Sequence, residues 1–230
     1  MVAVCVPWRP GDPHRNANWN HVRTFWSDYP VFVGDTDGPF NRAAARNKAA
    51  AQTDADILIF GDADTVGDHQ AIREAVDHAS ETGELTYPHT RTVKLSKTGT
   101  AQLKAGQSVK GGQRLEGSPA GILVVRRDLY EQVLWDERFD AGWGYEDVAF
   151  AMAARTLGGV HRIEANIIHL WHPVAAEKRD AIGYKTGNRA LRDEYGRADG
   201  NPKSMRRLLE ELRCCSASRP PLPAPGSTSG

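Results

Sequence analysis

Only three cysteines occur in 230 residues, too few for a disulfide framework. Cys5 sits in an apolar run and reads as a small core residue. Cys214 and Cys215 are adjacent in a tail-like segment, and no CxxC pair offers a metal clip. A reducing compartment fits this usage. No window approaches the ~18 consecutive apolar residues of a membrane span. The apolar start at residues 2–6 is too short for a signal sequence and has no basic stretch before it. No membrane span and a cytoplasmic location are therefore expected. Net charge is also lacking, with 29 acidic and 29 basic residues. No strong nucleic-acid footprint is expected, although a local basic patch is compatible with that balance. There is no internal repeat. The first apolar run is not followed by a glycine-rich phosphate loop, for Pro7-Trp8-Arg9-Pro10-Gly11 is a poor one, which argues against a nucleotidyltransferase.

What is present is an alternation of short apolar runs and helical patterns. Residues 2–6, 31–33, 57–60 and 120–125 read as buried strands. Trp19, Val22, Phe25 and Trp26 recur at helical spacing, and an alanine-rich stretch over about 41–52 favours a helix. Further helices are expected over about 69–80, 127–134, from 147 to the Gly158-Gly159 pair, 188–195 and 202–212, with one strand or two over 160–170. Such alternation predicts an α/β domain with a mostly parallel central sheet flanked by helices. The expected single domain covers 1–213. Its nucleotide-binding half is about 1–90, its acceptor and catalytic half about 118–173, and its C-terminal helices about 174–213. Over 94–117 the pattern dissolves into Gly, Lys, Gln, Ser and Thr, as in a lid, a binding loop or a disordered excursion. Residues 214–230, rich in Ser, Pro and Gly, read as a disordered tail.

In open α/β sheets ligands bind beyond the carboxyl ends of the strands. That rule puts Pro7-Trp8-Arg9, Asp35 to Asp37 and Asp62-Ala63-Asp64 along one rim. Asp62 and Asp64 are one residue apart after a buried strand, so extended backbone sends both carboxylates to one side. A cation relieves their repulsion, and Mg²⁺ or Mn²⁺ suits carboxylates joined by donor phosphates. The plainer alternative is a turn that caps the next helix. In Gly142-Trp143-Gly144-Tyr145-Glu146-Asp147, Trp143 offers a flat face for a sugar ring. Glu146 or Asp147 can act as general base there. A capped helix start explains the acids equally well, but not the Gly-Trp-Gly sequence. His169 and His172 can complete a metal site with oxygen ligands, or be structural histidines of an apolar strand.

Taken in order, Pro7-Trp8-Arg9, Pro39-Phe40-Asn41-Arg42-Ala43, Phe60-Gly61-Asp62-Ala63-Asp64 and Gly142-Trp143-Gly144-Tyr145-Glu146-Asp147 resemble the β-1,4-galactosyltransferase family. They are also similar to the polypeptide N-acetylgalactosaminyltransferases and chondroitin-type polymerases of the GT-A fold. The resemblance runs over about 1–173. It implies a GT-A, Rossmann-like fold and a metal-dependent glycosyltransferase with Mn²⁺ (or Mg²⁺) and a UDP-sugar donor. It implies nucleotide contacts from Pro7, Arg9, Phe40 and Arg42. Trp8, Asp35 and Ala63 adjoin those motifs and join the expected donor contacts. Asp62 and Asp64 would form the DxD motif, with Asp64 a direct ligand and either His169 or His172 beside it. Trp143 would line the sugar and acceptor site, and Asp147 would be the base, with Glu146 beside it.

The chain departs from the family where galactosyltransferases read Gly-Gly-Glu-Asp-Asp-Asp and it has Gly144-Tyr145-Glu146-Asp147-Val148-Ala149. The secretory anchor and stem of the family are also absent, so a bacterial or viral cytoplasmic relative is expected. The expected reaction inverts configuration, with Asp147 taking the proton of an acceptor hydroxyl. A retaining transferase of the same fold is the first alternative and a nucleotidyltransferase the second. The acceptor is left open: a glycan, a protein or a modified nucleobase.

Overall fold

The computed structural model describes residues 1–140, 144–173 and 187–217, with 212–217 described by backbone alone. In the first part of the chain, β1 (Val2–Pro7), α1 (Pro13–Phe25), β2 (Val31–Gly34), α2 (Arg42–Ala50) and β3 (Ile57–Gly61) alternate as the apolar runs require. β4 (Thr65–Val66), α3 (His69–Thr82), β5 (Leu85–Tyr87), β6 (Arg91–Lys94), α4 (Lys97–Lys104) and β7 (Gln113–Glu116) follow. Then come β8 (Ile122–Arg126), α5 (Arg127–Val133), α6 (Glu146–Gly158), β9 (Val160–Arg162), β10 (Asn166–His169), α7 (Gly187–Ala198) and α8 (Pro202–Ala217).

The main sheet has the order β2-β1-β3-β8-β5-β9. β1 is parallel to β2 and β3, and β5 is parallel to β9. β8 alone runs against its neighbours, β3 and β5. A second sheet, β4-β10-β6-β7, stands beside it. The continuous apolar strands serve two faces. Ala3, Cys5, Leu58, Phe60, Leu123 and Val125 pack into one core with α2, α5, α6 and α7. Val4, Val6, Ile57, Ile59, Ile122 and Val124 pack into the other with Trp19, Trp26 and Ile72 of α1, the turn after it and α3. A sheet covered on both faces leaves no polar alternation to see, which is why its strands read as unbroken hydrophobic runs.

Local chemistry sets the helix starts. Asp12 caps α1 through the amides of His14 (2.9 Å) and Arg15 (3.2 Å), with Pro13 in the first turn. Asn41 caps α2 through Ala44 N (3.0 Å), and Asp68 caps α3 through Ala71 N (2.9 Å). The cap of α3 is thus Asp68, and neither Asp62 nor Asp64 serves a helix. Gly34 lets α2 lie against the sheet, for a Cβ there would fall 1.8 Å from Ala45 O.

The segment 94–117, expected to be irregular, contains α4 and β7, and β5 and β6 before it were also unread. These elements are short. α4 is polar, started by a Ser96 cap on Gly99 N (3.1 Å), with Leu103 packed on the second core. β7 is an edge strand with almost no buried side chain. Tertiary pairing, not local pattern, makes them regular. The span 160–170 resolves into two strands, and α8 runs to Ala217, past the point where a tail was expected. The expected tail over 218–230 and Trp143 lie outside the described residues. Among the described residues, no helix is long and apolar enough to cross a membrane.

Candidate active site

Beyond the carboxyl ends of β1 and β3 lies a cleft of about 1210 Å³ between the two sheets. Pro7, Trp8, Arg9, Phe40, Arg42, Asp62, Ala63, Asp64, Glu146, Asp147, His169 and His172 all line it. Asp35 does not, but its carboxylate accepts from Arg9 Nε at 2.7 Å and so sets the Arg9 fork, which also lies over the Phe40 ring.

The centre of the cleft is a joint between the two sheets. β4 pairs with β10 so that Thr65 faces His169, and Leu170 N donates to Asp64 O at 2.8 Å. This pairing brings together Asp64 and His169, 105 positions apart in sequence, and with them a third side chain, His172. His169 Nε2 stands 3.7 Å from Asp64 Oδ1 and His172 Nε2 stands 3.2 Å from Asp64 Oδ2. The potential ligand atoms of all three lie within 4.8 Å of one another. His172 Nδ1 is 2.7 Å from Pro173 O, a carbonyl that can only accept. The Nδ1 proton is therefore committed, and Nε2 is the nitrogen left to face Asp64. Burial acts to raise the Asp64 carboxyl. The His172 hydrogen bond and the charges of His169 and His172 outweigh it and hold the group well below the usual carboxylate range.

Asp62 takes a different part. Its Oδ1 accepts from Arg46 Nη2 at 2.7 Å, and it is not among the clustered ligand atoms. Arg46 is nearly buried, lies 4.3 Å over the Trp135 ring and also reaches Glu146 Oε1 at 3.2 Å. Glu146 in turn accepts from Arg42 Nη2 at 2.7 Å. Asp62, Arg46, Glu146 and Arg42 form one network from the end of β3 to the start of α6. Burial raises the Glu146 carboxyl, but Arg42 and then Arg46 overcome this and lower it. The neighbouring Asp147 makes no ion pair among the described residues. Burial, then the charge of Glu146, push its carboxyl up to about 6, with Arg42 and Arg46 opposing. Two adjacent acids are thus driven in opposite directions, a pattern that separates an anchoring carboxylate from a proton acceptor.

The helix start that carries these acids is not a side-chain cap. Its N-cap is Tyr145, a non-glycine residue at φ 77° with no capping hydrogen bond. A left-handed tyrosine costs about 1 kcal/mol or more, and it aims Glu146 inward. Sequence reasoning missed Arg46, Trp171, Arg15 and Lys94. Trp171 lines the cleft, with Lys97 Nζ 5.5 Å and the His14 ring 5.0 Å from its ring. Its backbone is tied to Thr100 Oγ1 (2.7 Å) and Asn18 Nδ2 (3.0 Å), which fixes the segment carrying His172. Arg15 and Lys94 also line the cleft, and Arg15 Nη2 is buried with no hydrogen-bond partner among the described residues. Only the Trp171 signal, in His169-Leu170-Trp171-His172, was available beforehand. Arg46 sits in an alanine helix that looks purely structural.

No family model matches the chain, and no curated protein matches it. Solved structures similar to it include the catalytic domain of Drosophila β-1,4-galactosyltransferase 7 in complex with xylobiose. That likeness has 18% identity and a TM-score of 0.49, covering 77% of this chain and 77% of that one. A mutant of the Drosophila enzyme in complex with manganese, UDP-Gal and xylobiose is similar at 17% identity and TM-score 0.47, over 90% of this chain and 79% of that one. Staphylococcus aureus TarS in complex with UDP-GlcNAc is similar at 12% identity and TM-score 0.49, over 77% of this chain and 60% of that one.

Proposed function

We propose that the protein is a metal-dependent glycosyltransferase of the GT-A type that moves a sugar from a UDP-sugar to an acceptor hydroxyl with inversion. The observation that carries this reading is the meeting of Asp64, His169 and His172 in the same cleft as Asp147, whose carboxyl is raised to about 6. One carboxylate and two imidazoles fit Mn²⁺ better than Mg²⁺, which prefers an all-oxygen shell. Asp64, His169 and His172 would hold a divalent ion, which would supply Lewis-acid neutralisation of a leaving diphosphate. Both histidines belong to this ligand set. Asp62 stays with Arg46 and meets the donor rather than the ion.

Arg15 and Lys94 add cations on the diphosphate side. Arg9 over Phe40, together with Pro7 and Trp8, forms the wall for the nucleotide. Asp147 takes the proton of the acceptor hydroxyl, because a carboxyl near 6 is ionised at neutral pH yet basic enough to accept a proton. Glu146, tied to two arginines, positions the start of α6 instead. The order of the four motifs shared with the β-1,4-galactosyltransferases supports the same assignment. Screening nucleotide-sugars for Mn²⁺-dependent release of the nucleoside diphosphate tests the proposal. Release of UDP that stops when Asp64 is replaced by Asn is expected. Release of pyrophosphate would sink it in favour of nucleotidyl transfer, and product anomeric configuration decides inversion against retention.

A further inference from the structure

At the β9 edge of the main sheet, side chains from α3, the turn after it and β9 converge outside the cleft. Register pairs Leu85 with Val160 and Thr86 with His161, which sets Glu84 across from Gly159. Glu84 and His161 therefore share a face of the sheet. Gly159 has no side chain to interfere, and a Cβ there would stand 2.7 Å from Glu84 Oε1. The Gly83 cap (φ 77°) turns the chain out of α3 so that Glu84 lies under the last turns of that helix. There His78 Nε2 comes within 2.7 Å of Glu84 Oε2, and the His78 ring stacks on His161 at 4.0 Å and 22°. The three potential ligand atoms lie within 4.8 Å of one another, and none of these residues lines the catalytic cleft.

We propose that His78, Glu84 and His161 form a second metal site, selective for Zn²⁺ over the oxygen-seeking cations, that clips α3 to the edge strand β9. Two imidazoles and one carboxylate are a zinc donor set, with water in the fourth position. In a tetrahedral site with bonds near 2.0–2.1 Å, neighbouring ligand atoms are roughly 3.3 Å apart. To admit the ion, the His78–Glu84 pair has to open by about 0.6 Å, and the stacked His78 and His161 rings have to turn so that a nitrogen of each aims at it. A helix-end hydrogen bond between His78 and Glu84 is the competing explanation of the cluster. It leaves His161 only a ring stacked on His78, whereas a metal site makes His161 a ligand, so loss of His161 separates the two.

The test uses the full chain, stripped with a chelator and carrying Asp64→Asn to disable the cleft's ion. Co²⁺ is titrated by visible absorption and then displaced with Zn²⁺. One equivalent with the intensity of four-coordinate cobalt is expected, and adding His161→Ala should abolish it. Glu84→Gln should weaken binding at least tenfold. At a hundredfold excess over its Kd, Zn²⁺ should raise the melting temperature by roughly 5–10 °C, and not in the His161→Ala protein. His161→Gln, which keeps the bulk of the side chain, replaces the alanine variant if that one misfolds. Cobalt uptake unchanged by loss of His161, a thiolate band, or no uptake at millimolar Co²⁺ overturns the proposal.

Discussion

Replacing Asp147 by Asn should cost activity and gain stability, with both effects tied to one carboxyl. Its folded value of about 6 lies above the ordinary 3.8 because burial and Glu146 disfavour the anion. The folded state therefore holds this proton more tightly than the unfolded chain does. The resulting stabilisation is complete below about pH 4 and is lost as pH rises through about 6. Asn is neutral at every pH and escapes that loss. Above pH 6 the variant should be more stable by at most roughly 3 kcal/mol, a melting temperature higher by up to about 10 °C. Below pH 4 the two proteins should melt together. In the reaction the same group must be ionised, so the wild-type rate should rise about tenfold per pH unit up to about 6 and level off above it. The variant should lose ~10²–10⁴ in kcat, while UDP binding by calorimetry stays unchanged. Scanning calorimetry from pH 4 to 8 and a coupled UDP-release assay measure both sides. An Asp147→Asn protein with wild-type kcat, or one less stable at pH 8, would refute the assignment.

Replacing His172 by Ala should weaken Mn²⁺ binding at least tenfold and lower activity in step with it, read by calorimetry and by the Mn²⁺ dependence of UDP release. Arg46→Ala should destabilise the protein by about 3 kcal/mol in urea unfolding, because it takes the cation from half-buried Asp62 and leaves buried Glu146 with Arg42 alone. Arg46→Met together with Glu146→Gln should recover part of that loss. Gly34→Ala should cost several-fold more than an ordinary glycine-to-alanine change, since its Cβ would meet Ala45 O at 1.8 Å. The melting temperature would report α2 pushed off the sheet.

The Asp62–Arg46–Glu146–Arg42 network explains how the two halves of the site hold their relative positions. Arg46 on α2 bridges the segment after β3 and the first turn of α6, with Asp62 and Glu146 84 positions apart in sequence. Buried ion pairs of this kind add little net stability against a well-packed apolar core, yet breaking one partner is costly. They therefore enforce one arrangement of the acids. The sequence marked Glu146 and Asp147 as alternatives for a single role. The arginines distinguish their surroundings, because Glu146 is paired with Arg42 and Arg46 whereas burial and the Glu146 charge outweigh those arginines at Asp147.

By itself the sequence determined the strands and helices whose cause is local. Residues 57–60 form β3 because an Ile/Leu/Phe run can be buried on both faces, and helices start where Asp12, Asn41 and Asp68 can take backbone amides. It also marked Asp62, Asp64, Glu146, Asp147, His169 and His172 as candidates, each beside a structural alternative: caps for the acids and structural imidazoles for the histidines. Tertiary structure alone decided the antiparallel course of β8, the second sheet and the regular elements within 94–117. Each of these depends on pairing between segments far apart in the chain. The same cause governs the site. Asp64 meets His169 and His172 only because β4 pairs with β10, and Asp62 turns to Arg46 only because α2 packs beneath it. A two-residue strand such as β4 has no pattern of its own to read, and its place is fixed by the partner it finds.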